Sequence, residues 1–294
     1  MSYKILIVTL QFTLWFAIWF TSPPSLASTA KSFPPQTKVY YLPLTVETAK
    51  QSLALSGVLR LPQSSSEKLP AVLILHGSAG VDSRGTFYAE TLNAKGIATF
   101  EIDLWGGRGL AGGSKGRPAL PTLTVPDALA ALTLLAQRPE VDSKRIGVMG
   151  FSWGGVMTML LKDNSLYAKY DKPYRFSAYA AHYPVCWAYN AVPGVNFEQL
   201  NDGNLLIQTG EFDDYDTPES CKKLVATLPV QMQSQIEIKV WPGVHHAWDR
   251  LAPTMVVDDP FSHLGKGGKV TIEADYDTAI KSREKAVDFF LLHL

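Results

Sequence analysis

The chain has 294 residues, of which 46% are hydrophobic and 18% are charged, with 27 basic and 27 acidic side chains. These proportions are those of an ordinary globular protein and exclude a disordered or fibrous chain. Because the charges balance, there is no electrostatic reason to expect nucleic acid or an acidic membrane surface as a partner.

The N-terminus has the layout of a secretory signal peptide. A short positive region precedes an uncharged apolar stretch at 5–20, and small residues follow it. We predict a signal peptide at 1–30, cleaved after Ala27 or Ala30, and a single domain at 31–294 that is exported, periplasmic or secreted. An uncleaved anchor is the alternative, but the apolar run is shorter than the about 20 residues that a span needs. No stable membrane anchor is expected after cleavage.

The pattern after the leader changes from hairpin-like to strand–helix alternation. Residues 38–46 and 52–61 are rich in Val, Tyr, Leu and Thr, which predicts an antiparallel hairpin at the edge of a sheet. Short, wholly apolar runs then alternate with helical stretches, which predicts an α/β domain with a mostly parallel, doubly wound sheet and helices on both faces. The predicted strands are 71–76, 98–103, 145–150, 176–183, 204–210 and 236–241, and the predicted helices lie near 86–95, 124–137, 154–162, 217–227 and 276–293.

One serine stands where this alternation predicts a strand-to-helix junction. The run Gly150-Phe151-Ser152-Trp153-Gly154 follows the strand 145–150 and precedes a helix. Gly-x-Ser-x-Gly at such a junction is the nucleophile elbow of α/β-hydrolases, in which the serine hydroxyl is presented at a helix N-terminus. We therefore predict that Ser152 is a nucleophile.

A serine nucleophile needs a base and an acid, which in this fold follow it in the order acid, then histidine. His245 and His246 follow the strand 236–241 through a Pro-Gly turn and are the candidate bases. The other downstream histidines (His182, His263 and His293) are expected to be structural or on the surface. The acid is expected after the strand 204–210, where Asp213 and Asp214 are the candidates and Asp216 is interpreted as a helix cap.

Two backbone amides are expected to form an oxyanion hole. The amide of Trp153 follows the nucleophile, and the amide of Ser78 lies in the loop His76-Gly77-Ser78 after an apolar strand. The side chain of His76 is interpreted as holding this turn.

At this point the chain resembles the dienelactone hydrolase family. The resemblance covers roughly residues 70–250, and its carriers are VDSKRIGVMGFSWGG (141–155), GEFDD (210–214) and WPGVHHAWD (241–249). It implies that Asp213 is the acid and that His246 is the base. The chain departs from the family in having Ser152 where dienelactone hydrolases proper have cysteine, and in having a plain His-Gly-Ser in place of an acidic oxyanion loop.

The resemblance also implies a substrate-binding role for some residues. Family members bind a substrate carboxylate with arginines, and Arg108 and Arg250 fall near comparable places. Trp105, with Trp153 and Trp248, is a candidate for an apolar pocket, although core packing explains Trp248 equally well.

The two cysteines are the last feature that the sequence lets us interpret. In an exported chain, Cys186 and Cys221 are predicted to form a disulfide; two separate buried thiols are the alternative. No metal or organic cofactor is predicted.

The sequence thus predicts an exported serine hydrolase of small-molecule carboxylic esters or lactones. An amide or peptide hydrolase of the same fold and a catalytically silent binding domain are the alternatives. The long segment 250–275 is expected to be irregular and to cover or flank a cleft.

Overall fold

The computed structural model describes residues 36–48, 51–63, 67–170 and 173–294, which belong to one compact unit. The predicted signal peptide at 1–30 lies outside the described residues, so its cleavage stays a prediction. Within the described ranges, no helix is both long and apolar enough to cross a membrane.

The centre of the domain is an eight-stranded sheet. Its strands are β1 (Thr37–Glu47), β2 (Ser52–Pro62), β3 (Leu69–Leu75), β4 (Ala98–Asp103), β5 (Val141–Phe151), β6 (Ala178–His182), β7 (Asn204–Gly210) and β8 (Ile236–Trp241). They lie in the order β1-β2-β4-β3-β5-β6-β7-β8. The pairs β1–β2 and β2–β4 are antiparallel, and the pairs from β4 through to β8 are parallel. The predicted mostly parallel sheet with an N-terminal antiparallel hairpin is therefore confirmed.

Helices cover both faces of this sheet. They are α1 (Ser83–Ala94), α2 (Val125–Ala136), α3 (Trp153–Leu160), α4 (Asn164–Tyr170), α5 (Ser220–Ala226) and the single turn α6 (Val230–Gln233). In β3, Leu73 faces the same core as α2 and α3, whereas Ile74 faces the core of α1 and the C-terminal helix. Because both faces of the strand are buried, its residues are continuously apolar rather than alternating.

The segment 250–275 was expected to be irregular, and that prediction is wrong. It forms a two-stranded antiparallel hairpin of β9 (Met255–Asp259) and β10 (Gly268–Ile272), joined through the short turn α7 (Ser262–Gly265). A five-residue strand that pairs with a single partner has too weak a pattern to be recognised in the sequence. The chain then continues into the long C-terminal helix α8 (Tyr276–His293).

Asp216 does not cap a helix, which corrects a second prediction. A cap at Asp216 requires a helix that starts at residue 217, but helix α5 begins three residues later, at Ser220. The carboxylate of Asp216 instead accepts hydrogen bonds from the backbone amides of Cys186 and Trp187. Burial raises the pKa of this carboxyl to about 6. The residue therefore ties the loop after β6 to the loop after β7.

Candidate active site

Ser152 lies on a tight turn between β5 and α3. Its φ is 52°, a left-handed conformation that is uncommon for a residue with a side chain, and its amide donates to the carbonyl of His182 at 3.0 Å. A Cβ on Gly150 would lie 2.2 Å from the Gly154 carbonyl oxygen, and one on Gly154 would lie 2.1 Å from that of Leu75. Because nothing larger fits at these two positions, the glycines of the motif are a steric requirement of the elbow.

His246 connects Ser152 to Asp213 by two hydrogen bonds. Its Nδ1 lies 2.7 Å from Oδ2 of Asp213, and its Nε2 lies 2.9 Å from Oγ of Ser152. A carboxylate only accepts, so Nδ1 carries the proton and Nε2 is left to accept from the serine hydroxyl. The rings of Tyr183 and Tyr215 also contact the imidazole, with centroid distances of 4.6 and 4.5 Å. These contacts and the two hydrogen bonds hold the imidazole in place.

The other carboxylates after β7 have different partners. Glu211 accepts from the amide of Gly243 at 2.8 Å, and Asp214 accepts from the amide of Thr271 at 2.8 Å. Of the two candidate acids, only Asp213 reaches the imidazole of His246. Its second oxygen accepts from the amide of Tyr215 at 2.9 Å, which fixes its rotamer.

The remaining histidines lie away from the serine hydroxyl. His245 faces Glu273 at 3.8 Å, whereas His182 bonds the side chain of Gln208 at 2.9 Å. His263 bonds the carbonyl of Lys269, and His293 bonds the side chain of Asn204. The structure thus distinguishes His246 from its neighbour His245, which the residues alone left open.

The loop that carries the amide of Ser78 is held by several contacts. His76 Nε2 accepts from the amide of Leu104 at 2.9 Å and Nδ1 contacts the carbonyl of Gly77 at 2.7 Å, as expected of a histidine that holds the turn. Burial lowers the pKa of His76 to about 4, which keeps the ring neutral. In the described part of the chain, the amides of Ser78 and Trp153 have no protein acceptor. Both remain available to a ligand.

Two of the predicted substrate-binding residues are structural instead. The guanidinium of Arg108 donates to the carbonyl of Leu104 and to Asp127, both at 2.9 Å, and lines neither cavity beside Ser152. The indole of Trp105 donates to the carbonyl of Ser78 at 3.0 Å and packs behind the loop. The sequence could not show that the polar groups of these two side chains are already satisfied.

Of Trp248 and Arg250, only Arg250 lines a cavity beside Ser152. Trp248 is fully buried in the core and donates to Ser282 at 3.1 Å, so core packing explains it. Arg250 does line the cleft, where its Nε lies 3.7 Å from a carboxylate oxygen of Asp82.

Arg117 is the main residue that the sequence did not single out. Its guanidinium donates to Oγ of Ser78 at 2.5 Å and to Asp259 at 3.0 Å. It also lies over the rings of Trp153 and Phe261, at 5.4 and 5.6 Å from their centroids. Arg117 therefore connects the Ser78 loop, the elbow and the hairpin β9–β10. Its glycine-rich surroundings at 112–116 were the only local signal.

A buried network of hydrogen bonds holds Tyr183, whose ring contacts His246. The hydroxyl of Tyr183 donates to Asp249 at 2.6 Å and accepts from Arg84 at 3.1 Å. Tyr88 donates to the second oxygen of Asp249 at 2.7 Å. Because the hydroxyls and the carboxylate of this network all have hydrogen-bond partners, the network fixes the ring of Tyr183 against the imidazole of His246.

Two cavities open beside Ser152. The first encloses about 550 Å³ of empty space, part of it open to solvent, and its walls are almost entirely apolar. The second is larger, with about 970 Å³, and is lined by His246 and by the basic side chains Arg84, Lys115 and Arg250. The two cavities share Ser78, Ser152 and Tyr215.

Cys186 and Cys221 are joined in a disulfide that links the loop after β6 to α5. Together with Asp216 they form the one group of potential metal ligands within the described ranges, but their sulfur atoms are bonded to each other. The bond therefore serves to fix the loop, which forms one wall of the apolar cavity.

A serine on an elbow after β5, an acid after β7 and a histidine after β8, on a mostly parallel sheet, define the α/β-hydrolase fold. The model of the dienelactone hydrolase family matches residues 55–291. The chain therefore belongs to the dienelactone hydrolase family. The resemblance found from the three motifs is thereby confirmed.

Individual proteins share part of the sequence or the fold of this chain. The uncharacterized protein PA2218 of Pseudomonas aeruginosa is 32% identical over 130 residues, which are 43% of this chain and 34% of that relative. The match thus spans about a third of the length of that relative. A dienelactone hydrolase from Anabaena variabilis superposes with a TM-score of 0.56 at 18% identity, covering 88% of this chain and 99% of that one. A dienelactone hydrolase-like promiscuous phosphotriesterase from metagenomic libraries gives 0.61 at 15% identity, covering 87% and 98%.

Proposed function

We propose that the protein is an exported serine hydrolase that cleaves carboxylic ester or lactone bonds through Ser152, His246 and Asp213. The observation that carries this proposal is the continuous chain of hydrogen bonds from Asp213 through His246 to the hydroxyl of Ser152. This chain has the geometry that converts a weakly nucleophilic hydroxyl into an effective nucleophile.

Acylation begins with attack by Oγ of Ser152 on the substrate carbonyl. As the bond forms, Nε2 of His246 takes the hydroxyl proton, and Asp213 stabilises the imidazolium through Nδ1–H. Negative charge develops on the carbonyl oxygen, where the amides of Trp153 and Ser78 are free to donate. The imidazolium then protonates the departing alkoxide, so that an alcohol and an acyl-serine result.

Deacylation reverses these roles with water as the nucleophile. His246 takes a proton from water, the hydroxide attacks the acyl-serine, and the same two amides hold the oxyanion. Collapse of this intermediate returns the proton to Oγ of Ser152 and releases a carboxylic acid. With a lactone, the alcohol remains attached to the acyl group and one hydroxy acid is released.

An ester assay with a nucleophile variant tests the proposal. Wild-type protein is expected to hydrolyse p-nitrophenyl butyrate and to be labelled by a fluorophosphonate at Ser152, and Ser152→Ala is expected to lose at least about 10⁴-fold in kcat. Ser234→Ala, an exposed serine outside the site, is the matched control and should retain full activity.

Two outcomes would favour a different function. Cleavage of an aminoacyl anilide without cleavage of the ester would identify an amide or peptide hydrolase. Failure of the fluorophosphonate to label folded protein would identify a catalytically silent binding domain. Either result contradicts the ester proposal.

Export is supported by the apolar N-terminal stretch and by the Cys186–Cys221 disulfide, because such bonds persist in oxidising compartments. N-terminal sequencing of the protein recovered outside the cytoplasm is expected to begin at Ser28 or Lys31. Recovery of the intact N-terminus in the cytoplasmic fraction would overturn this part of the proposal.

A further inference from the structure

The two cavities meet at Ser152 and differ in whether His246 lines them. The histidine of a serine hydrolase protonates the leaving alcohol, so the alcohol must lie on the side of that histidine. His246 lines the larger, basic cavity and does not line the apolar one. In the proposed reaction, the alcohol portion of the substrate therefore faces the basic cavity, and the apolar cavity is left for the acyl group.

The walls of the apolar cavity come from several segments of the chain. Leu120 and Pro121 precede α2, Val156 lies on α3 one turn after the nucleophile, and Ala188 and Val192 lie in the loop after β6. Phe261, from the turn between β9 and β10, also lines the cavity. An enclosure of aliphatic and aromatic side chains favours a ligand that transfers apolar surface out of water.

The cationic side chain on these walls, that of Arg117, already has partners. Arg117 is paired with both carboxylate oxygens of Asp259 at 3.0 Å and with Ser78, and the hydroxyl of Tyr215 donates to Oδ2 of Asp259 at 2.9 Å. The positive charge of Arg117 is thus neutralised by a carboxylate that is 3% exposed. A charged acyl group in this cavity would lose its hydration and find no free counter-charge.

The cavity is also prebuilt. The loop that carries Ala188 and Val192 is fixed by the Cys186–Cys221 bond and by the two amides that donate to Asp216. A wall that is already ordered does not need to be ordered by the substrate, which leaves more of the binding free energy available for affinity.

From these observations we infer that the apolar cavity is an acyl-binding site and that the substrates are esters of uncharged, apolar acyl groups. The inference rests on the proposed function, because it assumes that Ser152 is acylated. It sets this protein apart from a hydrolase that recognises its substrate by a carboxylate on the acyl side.

A series of p-nitrophenyl esters tests the inference with wild-type protein. From acetate to butyrate to hexanoate, kcat/KM is expected to rise about fourfold for each added CH2, the equivalent of about 0.8 kcal/mol. Mono-p-nitrophenyl adipate has the length of hexanoate with a terminal carboxylate, and we expect its kcat/KM to be about 100-fold lower. A flat series, or adipate as good as hexanoate, would overturn the inference.

Two substitutions in the same loop locate the effect. Ala188→Phe fills the cavity and should lower kcat/KM for hexanoate at least about tenfold more than kcat/KM for acetate. Ala191→Phe is the matched control, since Ala191 is exposed and lies outside the cavity, and it should leave the ratio unchanged. Val192→Phe provides a second filling variant should Ala188→Phe not fold.

The outcomes separate this inference from the proposed function. If no ester is cleaved and Ser152 is not labelled, the proposed function fails. If esters are cleaved but Ala188→Phe and Val192→Phe both leave the ratio of hexanoate to acetate unchanged, the acyl site is wrong and the hydrolase assignment stands.

Discussion

The guanidinium of Arg117 donates a hydrogen bond to Oγ of Ser78 at 2.5 Å, across 39 positions of the chain. Ser78 supplies one of the two proposed oxyanion donors through its backbone amide. The same guanidinium is paired with Asp259 on the hairpin β9–β10. The position of the oxyanion loop is therefore coupled to the hairpin that flanks the cleft.

Removing either partner of this hydrogen bond should lower the rate rather than the affinity. We expect Ser78→Ala and Arg117→Lys each to reduce kcat for p-nitrophenyl butyrate about tenfold, less than the loss of an oxyanion donor itself, with KM changed less than twofold. Ser78→Ala keeps the amide, and Arg117→Lys keeps the charge beside Asp259.

The double variant decides whether the two side chains act together. If Arg117 acts by positioning Ser78, the double variant should lose no more than the worse single variant. Losses that multiply to about 100-fold would show that the two residues act independently.

The disulfide is expected to contribute both to stability and to the acyl site. It closes a loop of 35 residues, which corresponds to about 3–4 kcal/mol in the chain-entropy model. The double variant Cys186→Ala/Cys221→Ala should lose about this much free energy of unfolding, measured by urea denaturation.

The effect of the same variant on activity should depend on acyl length. Because the loop after β6 forms a wall of the apolar cavity, KM for p-nitrophenyl hexanoate should rise at least about threefold, and KM for acetate should stay within about twofold. An equal change in KM for both esters would mean that the disulfide stabilises the fold but does not shape the acyl-binding site.

The parts of the site that could be predicted from the sequence are those that depend on local patterns. The elbow around Ser152 is recognisable because two glycines are required at fixed positions next to it. The sheet is recognisable because strands buried on both faces are continuously apolar. Asp213 and His246 follow strand ends, and strand ends of a parallel sheet meet at one edge.

The parts that could not be predicted depend on contacts between distant segments. Arg117 reaches Ser78 and Asp259 through loops whose paths no periodicity encodes. Arg108 lies near the site in the chain, but its pairing with the buried Asp127 becomes visible only once α2 is packed. A polar residue in a loop does not reveal whether its hydrogen bonds are already made.

Gly154→Ala should abolish folding or activity through backbone crowding alone. The added Cβ would lie 2.1 Å from the carbonyl oxygen of Leu75 and 2.9 Å from that of His76, and neither atom belongs to a side chain that can move away. We expect a loss of at least about 3 kcal/mol in the free energy of unfolding. Ser152→Ala should unfold like wild type, and similar stability of the two variants would contradict the steric requirement.

Glu101 is a buried carboxyl that the proposed reaction does not use. It lies on β4 against α1, is 4% exposed, and has Arg60 at 3.8 Å as its nearest cation. Burial outweighs this attraction and raises the pKa of Glu101 from 4.5 to about 7. The folded protein therefore keeps this proton up to about pH 7, whereas the unfolded chain releases it near pH 4.5.

This difference in proton binding sets the direction of a pH effect on stability. Between about pH 4.5 and pH 7 the unfolded state binds fewer protons at Glu101, so the contribution of this residue to the free energy of unfolding falls as pH rises and is constant above. Glu101→Gln removes the titration. At pH 8 it should be more stable than wild type by about 2–3 kcal/mol, and at pH 5 the difference should shrink to below about 1 kcal/mol.

Urea denaturation at the two pH values measures this difference directly. Glu90→Gln, on an exposed position of α1, is the matched control and should differ from wild type equally little at both pH values. A difference between Glu101→Gln and wild type that is the same at pH 5 and pH 8 would mean that Glu101 is ionised in the folded protein across this range. The ion pair with Arg60 would then be strong enough to offset the burial of the carboxylate.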